Sequence, residues 1–316
     1  MIDPRSTPAW AEWQAARQGS RMHHGWIVAG RRGLGKRAFA LAAARDLVNA
    51  EGDAEHPDIL VLGHPPKDDK EARKKADGKP FEKARNIKVA QIREMQRRLT
   101  TRPTLGDRRA IVIDPADDME TASANALLKS LEEPPEGTTM ILVTHRPARL
   151  LPTIRSRCRM LRMAPLDDER VESELRETFP ETDGETLRRA VAASGGSPGM
   201  AQAYVENDLG KIDAILRRIV AEGDSDFILR GKLSSAIGNR PDRDRQRVLF
   251  DLARTILTDR MRETPRAGLA ALADAHADLV ELAGQAPIYN FDPNFLVMEI
   301  GGLIASVAGN RSGADG

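Results

Sequence analysis

Five short apolar runs punctuate the first half of the chain: Trp26-Ile27-Val28-Ala29, Ile59-Leu60-Val61-Leu62, Ala110-Ile111-Val112-Ile113, Met140-Ile141-Leu142-Val143 and Cys158-Arg159-Met160-Leu161. Runs this short, with little polar alternation, fit strands buried on both faces of a parallel sheet. Between them Val89, Ile92, Met95 and Leu99 recur at helical spacing. Ala124, Leu127, Leu128 and Leu131 do the same until Pro134-Pro135, which cannot continue a helix. The pattern predicts a doubly wound α/β domain with a five-stranded parallel sheet and helices over its faces.

After Pro165 only helical periodicity is found. It is broken at Asp183-Gly184, Gly195-Gly196-Ser197-Pro198-Gly199, Asn239-Arg240-Pro241 and Gly284-Gln285-Ala286-Pro287. The simplest partition is an α/β domain over 1–165, a small helical lid over 166–207 and an all-α domain over 208–316. In the last of these, Leu229, Leu233, Leu249, Leu252, Ile256 and Leu257 mark helices that bury one face. Gly309 to Gly316 lack apolar content and read as a frayed tail. Residues 64–85 carry eight Lys/Arg against five Asp/Glu and hardly any apolar residue, so they read as a mobile surface loop. Charge runs of this kind are more often solvated faces than phosphate-binding surfaces, and contact with DNA is the minority reading.

Composition narrows the class. Of 316 residues, 41% are hydrophobic and 30% charged, as in ordinary globular proteins. A formal net charge of +1 supplies no global field toward nucleic acid or anionic membrane, so any DNA contact is local. A single cysteine, Cys158, excludes an internal disulfide and a multi-cysteine zinc site. With no signal-peptide core and no apolar stretch near the ~20 residues that span a bilayer, the expected location is the cytoplasm, with no membrane partner.

The strongest chemical motif follows the first strand. Gly30-Arg31-Arg32-Gly33-Leu34-Gly35-Lys36-Arg37 has the G-x-x-x-x-G-K spacing of a phosphate loop: its glycines let backbone N–H groups turn toward a phosphate, and Lys36 reaches the outer ones. The next residue should be Ser or Thr, whose hydroxyl binds Mg²⁺, and it is Arg37. A plain strand-to-helix turn could look similar. Against that stands Asp114, which ends the third apolar run and would deliver a carboxylate to the same sheet edge. Gly30, Gly33, Gly35, Lys36 and Asp114 are therefore candidates for a degenerate nucleotide pocket.

From Ile111 to Cys158 the chain reads IVIDPADDMETASANALLKSLEEPPEGTTMILVTHRPARLLPTIRSRC. It closely resembles the delta-prime and gamma/tau subunits of bacterial DNA polymerase III clamp loaders, members of the AAA+ family. Ala124-Asn125-Ala126-Leu127-Leu128-Lys129, Leu131-Glu132-Glu133-Pro134-Pro135 and Leu150-Leu151-Pro152-Thr153-Ile154 leading to Ser156-Arg157-Cys158 carry the likeness. It implies an AAA+ P-loop domain, a helical lid and a C-terminal collar. It also implies that Arg157 is an arginine finger entering a neighbouring subunit's ATP site, where a permanently charged, planar guanidinium stabilises the transferring phosphoryl. The bland alternative is a surface arginine near a strand start.

Thr144 matches a position where AAA+ proteins sense the γ-phosphate, though a threonine also caps a strand end well. The glutamate that orients the attacking water is replaced by Pro115, and the stretch Gly196-Ser197-Pro198-Gly199-Met200-Ala201 lacks the lid arginine of active relatives. The four zinc-binding cysteines of many relatives are absent before His56-Pro57-Asp58, so no metal is expected. Cys158 reads as a packed thiol rather than a nucleophile.

The resemblance thus implies a clamp-loader subunit of the delta-prime type, part of a DNA-directed DNA polymerase holoenzyme. Such a subunit works with gamma/tau and delta partners, and through them with a sliding clamp and primed DNA. It needs no cofactor of its own; ATP or ADP held without hydrolysis is compatible with the pocket. The alternatives are an active motor of the gamma/tau type, opposed by Arg37 and Pro115, and a stand-alone nucleotide-binding regulator, opposed by the Leu131–Pro135 and Ser156–Cys158 segments.

Overall fold

The apolar runs become five parallel strands: β1 (Gly25–Ala29), β2 (Ile59–Leu62), β3 (Arg109–Ile113), β4 (Thr138–Thr144) and β5 (Arg159–Arg162), in the order β2-β3-β4-β1-β5. The computed structural model describes residues 3–19, 22–52, 55–238, 241, 243–289 and 291–308. β1, β3 and β4 are buried along their whole length. β2 and β5 are not, which corrects the expectation of burial on both faces: each lies at a sheet edge, and Val61 of β2 is 44% exposed.

The two-residue period of the central strands sorts their side chains into two cores. Ile27, Ile111, Ile113, Met140 and Leu142 face one way; Trp26, Val28, Val112, Ile141 and Val143 face the other. The helices of this unit are α1 (Pro8–Gln18), α2 (Lys36–Val48), α3 (Asp69–Ala76), α4 (Val89–Leu99), α5 (Thr121–Glu132) and α6 (Pro152–Ser156). α4, α5 and α6 cover the first face through residues such as Ile92, Leu127 and Ile154, and α1 and α2 cover the second through Trp13 and Phe39. Trp13 and Trp26 meet edge to face at 5.2 Å, and their indole N–H groups are satisfied by Asp46 and the His23 carbonyl. Burying two such rings, at roughly 150–250 Å² each, anchors α1 to the sheet.

Residues 64–85 do not form the expected mobile loop. Asp68 caps α3 by accepting the Glu71 N–H, acidic residues begin the helix and basic residues end it, which suits the helix dipole. Buried Glu71 pairs with Lys74 at 2.7 Å and accepts the Glu82 N–H, while Lys67 pairs with Glu82. The hydrogen bond and charge of Lys74 hold the Glu71 carboxyl below its ordinary range. Lys67, Lys74 and Lys79 thus pair with carboxylates of the same run.

The first unit ends at Pro165 and a second runs from Leu166. Its helices are α7 (Asp168–Thr178), α8 (Gly184–Ser194), α9 (Pro198–Glu206), α10 (Gly210–Glu222), α11 (Ile228–Ile237), α12 (Arg243–Glu263), α13 (Leu269–Tyr289) and α14 (Pro293–Ala305). Asp183 caps α8 and Ser197 caps α9, with Pro198 at the first helical position. The boundary drawn at 207/208 falls in the turn between α9 and α10. One cluster of buried side chains spans it, from Val171 and Leu187 through Leu216 and Leu252 to Ile300, so lid and collar segments share a core. Leu229, Leu233, Leu249, Leu252, Ile256 and Leu257 are all buried in it.

The break expected at Gly284–Pro287 is absent, because α13 continues to Tyr289. Pro287 falls in the final turn, and Leu279, Leu282 and Ala283 keep the helix on the core. Asn239, Arg240 and the 309–316 tail lie outside the described residues. No helix among the described residues is long and apolar enough to cross a membrane.

Candidate functional site

Because the sheet is parallel, β1, β2, β3 and β4 deliver their following loops to one edge, where ligands of open α/β sheets bind. Gly30 is confined by the main chain: a Cβ there would lie 2.8 Å from the Met163 carbonyl oxygen. Gly33 and Gly35 take φ of 79° and 75°, the left-handed region that side chains disfavour. This turn places Lys36 at the first position of α2, where it is 3% exposed and its ammonium donates to the Arg31 carbonyl oxygen. The motif is therefore a glycine turn that leads into α2, with its lysine folded onto it.

Arg37 Nη1 donates to Asp114 Oδ2 at 2.9 Å. The Asp114 side chain is only 12% exposed, whereas that of Arg37 is 58% exposed. The fold class implies Mg²⁺ at this place, held by a hydroxyl after the lysine and by the β3 carboxylate. The residues present do not fit that ion. Guanidinium has no lone pair to give, and it engages the carboxylate that would. Among the described residues no cluster of three or more His, Cys, Asp or Glu could hold a metal. His56 spends Nδ1 on the Asp58 N–H.

The rest of the edge was not singled out in the sequence. Asp117 accepts the His145 main-chain N–H at 3.0 Å and approaches Arg146 Nε at 3.4 Å. Asp118 accepts from His64 Nε2 at 3.1 Å and lies 3.6 Å from Arg146. Burial pushes the Asp118 carboxyl up, but the hydrogen bond and charge of His64, with Arg146 and Arg32, outweigh it and hold the group low. His145 Nδ1 is buried without a hydrogen-bond partner. Burial, then the positive charges of Lys36 and Arg32, push its imidazole down to about 3, so the ring is neutral at physiological pH. Thr144 is fully buried, and its hydroxyl accepts the Arg146 N–H at 3.1 Å, a strand-end turn. No local signal marks His145; the Asp117-Asp118 pair after an acidic strand end was the available hint.

Arg157 stands elsewhere in this unit, as the residue that ends α6. Its Nη2 pairs with Glu132 Oε1 at 2.8 Å, and its Nη1 donates to the Thr153 carbonyl oxygen at 3.1 Å. The side chains of the pair are 37% and 49% exposed. Glu132, from the Leu131–Pro135 segment, is thus the partner that sequence reasoning did not connect to Arg157. Cys158 beside it packs against the sheet core, and burial pushes its thiol up to about 12, so it is no nucleophile.

Deeper in the unit, Asp58 and Arg109 form a buried pair at 3.5 Å. Burial raises the Asp58 carboxyl, but the N–H groups of Leu105 and Thr104, together with Arg109, more than offset it and hold the group below its ordinary value. Asp58 therefore fixes the 104–105 loop against the β2–β3 edge.

Comparison with known proteins places these features in a family. The chain is 35% identical to DNA polymerase III subunit delta' of Pseudomonas aeruginosa over 196 residues, 57% of this chain and 55% of that protein. It is 32% identical to subunit delta' of Escherichia coli over 223 residues, 65% of this chain and 61% of that protein. The chain thus matches less than two thirds of the length of either relative. A tau/gamma subunit of Haemophilus influenzae is 30% identical over 56% of this chain and 26% of its own length. Among solved structures, a gamma subunit-related protein of Thermotoga maritima aligns over 94% of this chain and 98% of its own with a TM-score of 0.46 and 18% identity. The family described as DNA polymerase III, delta subunit, matches residues 6–167, the unit that holds both the Gly30–Lys36 loop and Arg157, and the chain belongs to that family.

Proposed function

We propose that this chain is a clamp-loader subunit of the delta-prime type that hydrolyses no ATP of its own. In this reading it joins gamma/tau and delta subunits in the cytoplasm, presents Arg157 to a neighbour's ATP site, and helps place a sliding clamp on primed DNA. The observation that carries the reading is the ion pair between Arg37 and Asp114, which occupies the two positions a catalytic metal needs. Pro115, which has no ionisable group, stands where a water-orienting carboxylate belongs. Family membership and the half-exposed guanidinium of Arg157 support the action in trans.

The purified chain should release no phosphate from ATP above background with Mg²⁺, with or without primed DNA and clamp, and should co-purify with gamma/tau and delta. Turnover that disappears in Lys36→Ala would identify an active motor instead. Absence of any association with those subunits would favour the stand-alone regulator.

A further inference from the structure

The metal locus of a phosphate loop is made by two groups, the residue after the loop lysine and the carboxylate ending the neighbouring strand. Here these two groups are bonded to each other, Arg37 Nη1 to Asp114 Oδ2. The other carboxylates of this edge are likewise matched, Asp117 by Arg146 and the His145 N–H, and Asp118 by His64 and Arg146. The loop itself contributes Arg31, Arg32, Lys36 and Arg37 within seven residues, with no acidic residue among them. Guanidinium offers five N–H donors, and the bond to Asp114 uses one. Arg37 is mostly solvent-facing, so its remaining donors are open to a phosphate oxygen at the mouth of the loop.

We propose that this pocket takes a nucleoside polyphosphate as the metal-free anion, with Arg37 standing as a tethered cation in the place of Mg²⁺. The proposal rests on the reading of the chain as a non-hydrolysing subunit and says what its own site holds. A magnesium ion needs near-octahedral oxygen ligation, which a hydroxyl and a free carboxylate would start and which Arg37 denies at both positions. Guanidinium instead offers charge and directed N–H groups and asks for no protein oxygen beyond Asp114. Magnesium in solution then competes for the nucleotide rather than bridging it to the protein, which reverses the usual sign of metal dependence.

Calorimetric titration of the whole chain with ATP and with a slowly hydrolysed ATP analogue, in excess EDTA and in excess Mg²⁺, tests this. Wild type should bind in EDTA and lose affinity by about tenfold or more in Mg²⁺, a change of ~1.4 kcal/mol or more. Lys36→Ala should lose binding in both buffers. Arg37→Thr, which frees Asp114 and supplies a hydroxyl, should bind more tightly with Mg²⁺ than without. Should that variant misfold, Asp114→Asn serves: it releases Arg37 and should tighten binding in EDTA while gaining nothing from Mg²⁺.

Wild-type binding that requires Mg²⁺, or no heat and no thermal shift with millimolar ATP in EDTA, would overturn the inference. Metal-dependent binding without turnover would overturn it alone, whereas turnover in the same samples would also bring down the non-hydrolysing reading.

Discussion

Arg37 and Arg157 each close an ion pair of nearly equal length, 2.9 Å to Asp114 and 2.8 Å to Glu132. The carboxylates differ in their solvent. Asp114 is almost enclosed at the end of β3, while Glu132 lies half in water at the end of α5. A buried carboxylate that loses its cation is left uncompensated, so the first pair resists exchange. A surface pair is worth about 0–1 kcal/mol and yields readily to a better anion. Distance alone would call the two arginines alike. Burial of the partner separates a guanidinium locked into its own site from one that can be given to another.

A third pair sets the scale of that comparison. Asp58 and Arg109 are both buried, and Asp58 also accepts two backbone N–H bonds. Asp58→Ala should cost about 3–5 kcal/mol in urea denaturation, the largest effect among the three pairs, because Arg109 is left charged and buried. A loss below ~1 kcal/mol would mean that burial is a poor guide to these pairs.

The pocket side is sharpened by pH. Folded His145 is held neutral down to about pH 3 by burial and by Lys36 and Arg32, against the opposing charges of Asp117 and Asp118. The unfolded chain takes up that proton near the ordinary value of ~6.5. Between these values the unfolded state binds more protons, so stability falls as pH falls from about 6.5 toward 3. His145→Gln should flatten that part of the stability curve in denaturation series at fixed pH. An unchanged slope would remove His145 from the charged edge.

The smallest effect belongs to the surface pair. Glu132→Ala should alter stability by no more than ~1 kcal/mol, leaving Arg157 on its α6 carbonyl and available to a partner. A loss of several kcal/mol would make Arg157 a structural residue and erase the contrast with Arg37.

How much of this was legible depended on range. The strands, the glycine loop and its missing hydroxyl are patterns of residue type over a few positions, and they were read directly. That Arg37 would bond Asp114, 77 residues away, was not, because a shared sheet edge does not say which side chains meet there; the β1–β4–β3 order sets that. The Glu132–Arg157 pair was hidden in the same way, although both residues lay in segments already singled out.

Asp58 stood in a His-Pro-Asp run noted only for the zinc-binding cysteines missing before it, yet its role is to tie down main-chain N–H groups that carry no side-chain signal. The 64–85 segment misled through composition, since α3 forms within it and part of its charge is paired there, as in Lys74–Glu71 and Lys67–Glu82. Pro287 misled because the face that Leu279, Leu282 and Ala283 hold on the core carries α13 past it to Tyr289.

The claim that most needs testing is that Arg157 acts outside its own chain, and a reconstituted complex with gamma/tau and delta tests it most directly. Arg157→Ala should fold and assemble, yet lower DNA- and clamp-stimulated ATP hydrolysis at one interface by on the order of 10³-fold and slow clamp loading, with Arg157→Lys restoring part of the loss. A complex carrying Arg157→Ala that hydrolyses ATP at every interface and loads clamps at the wild-type rate would contradict the account.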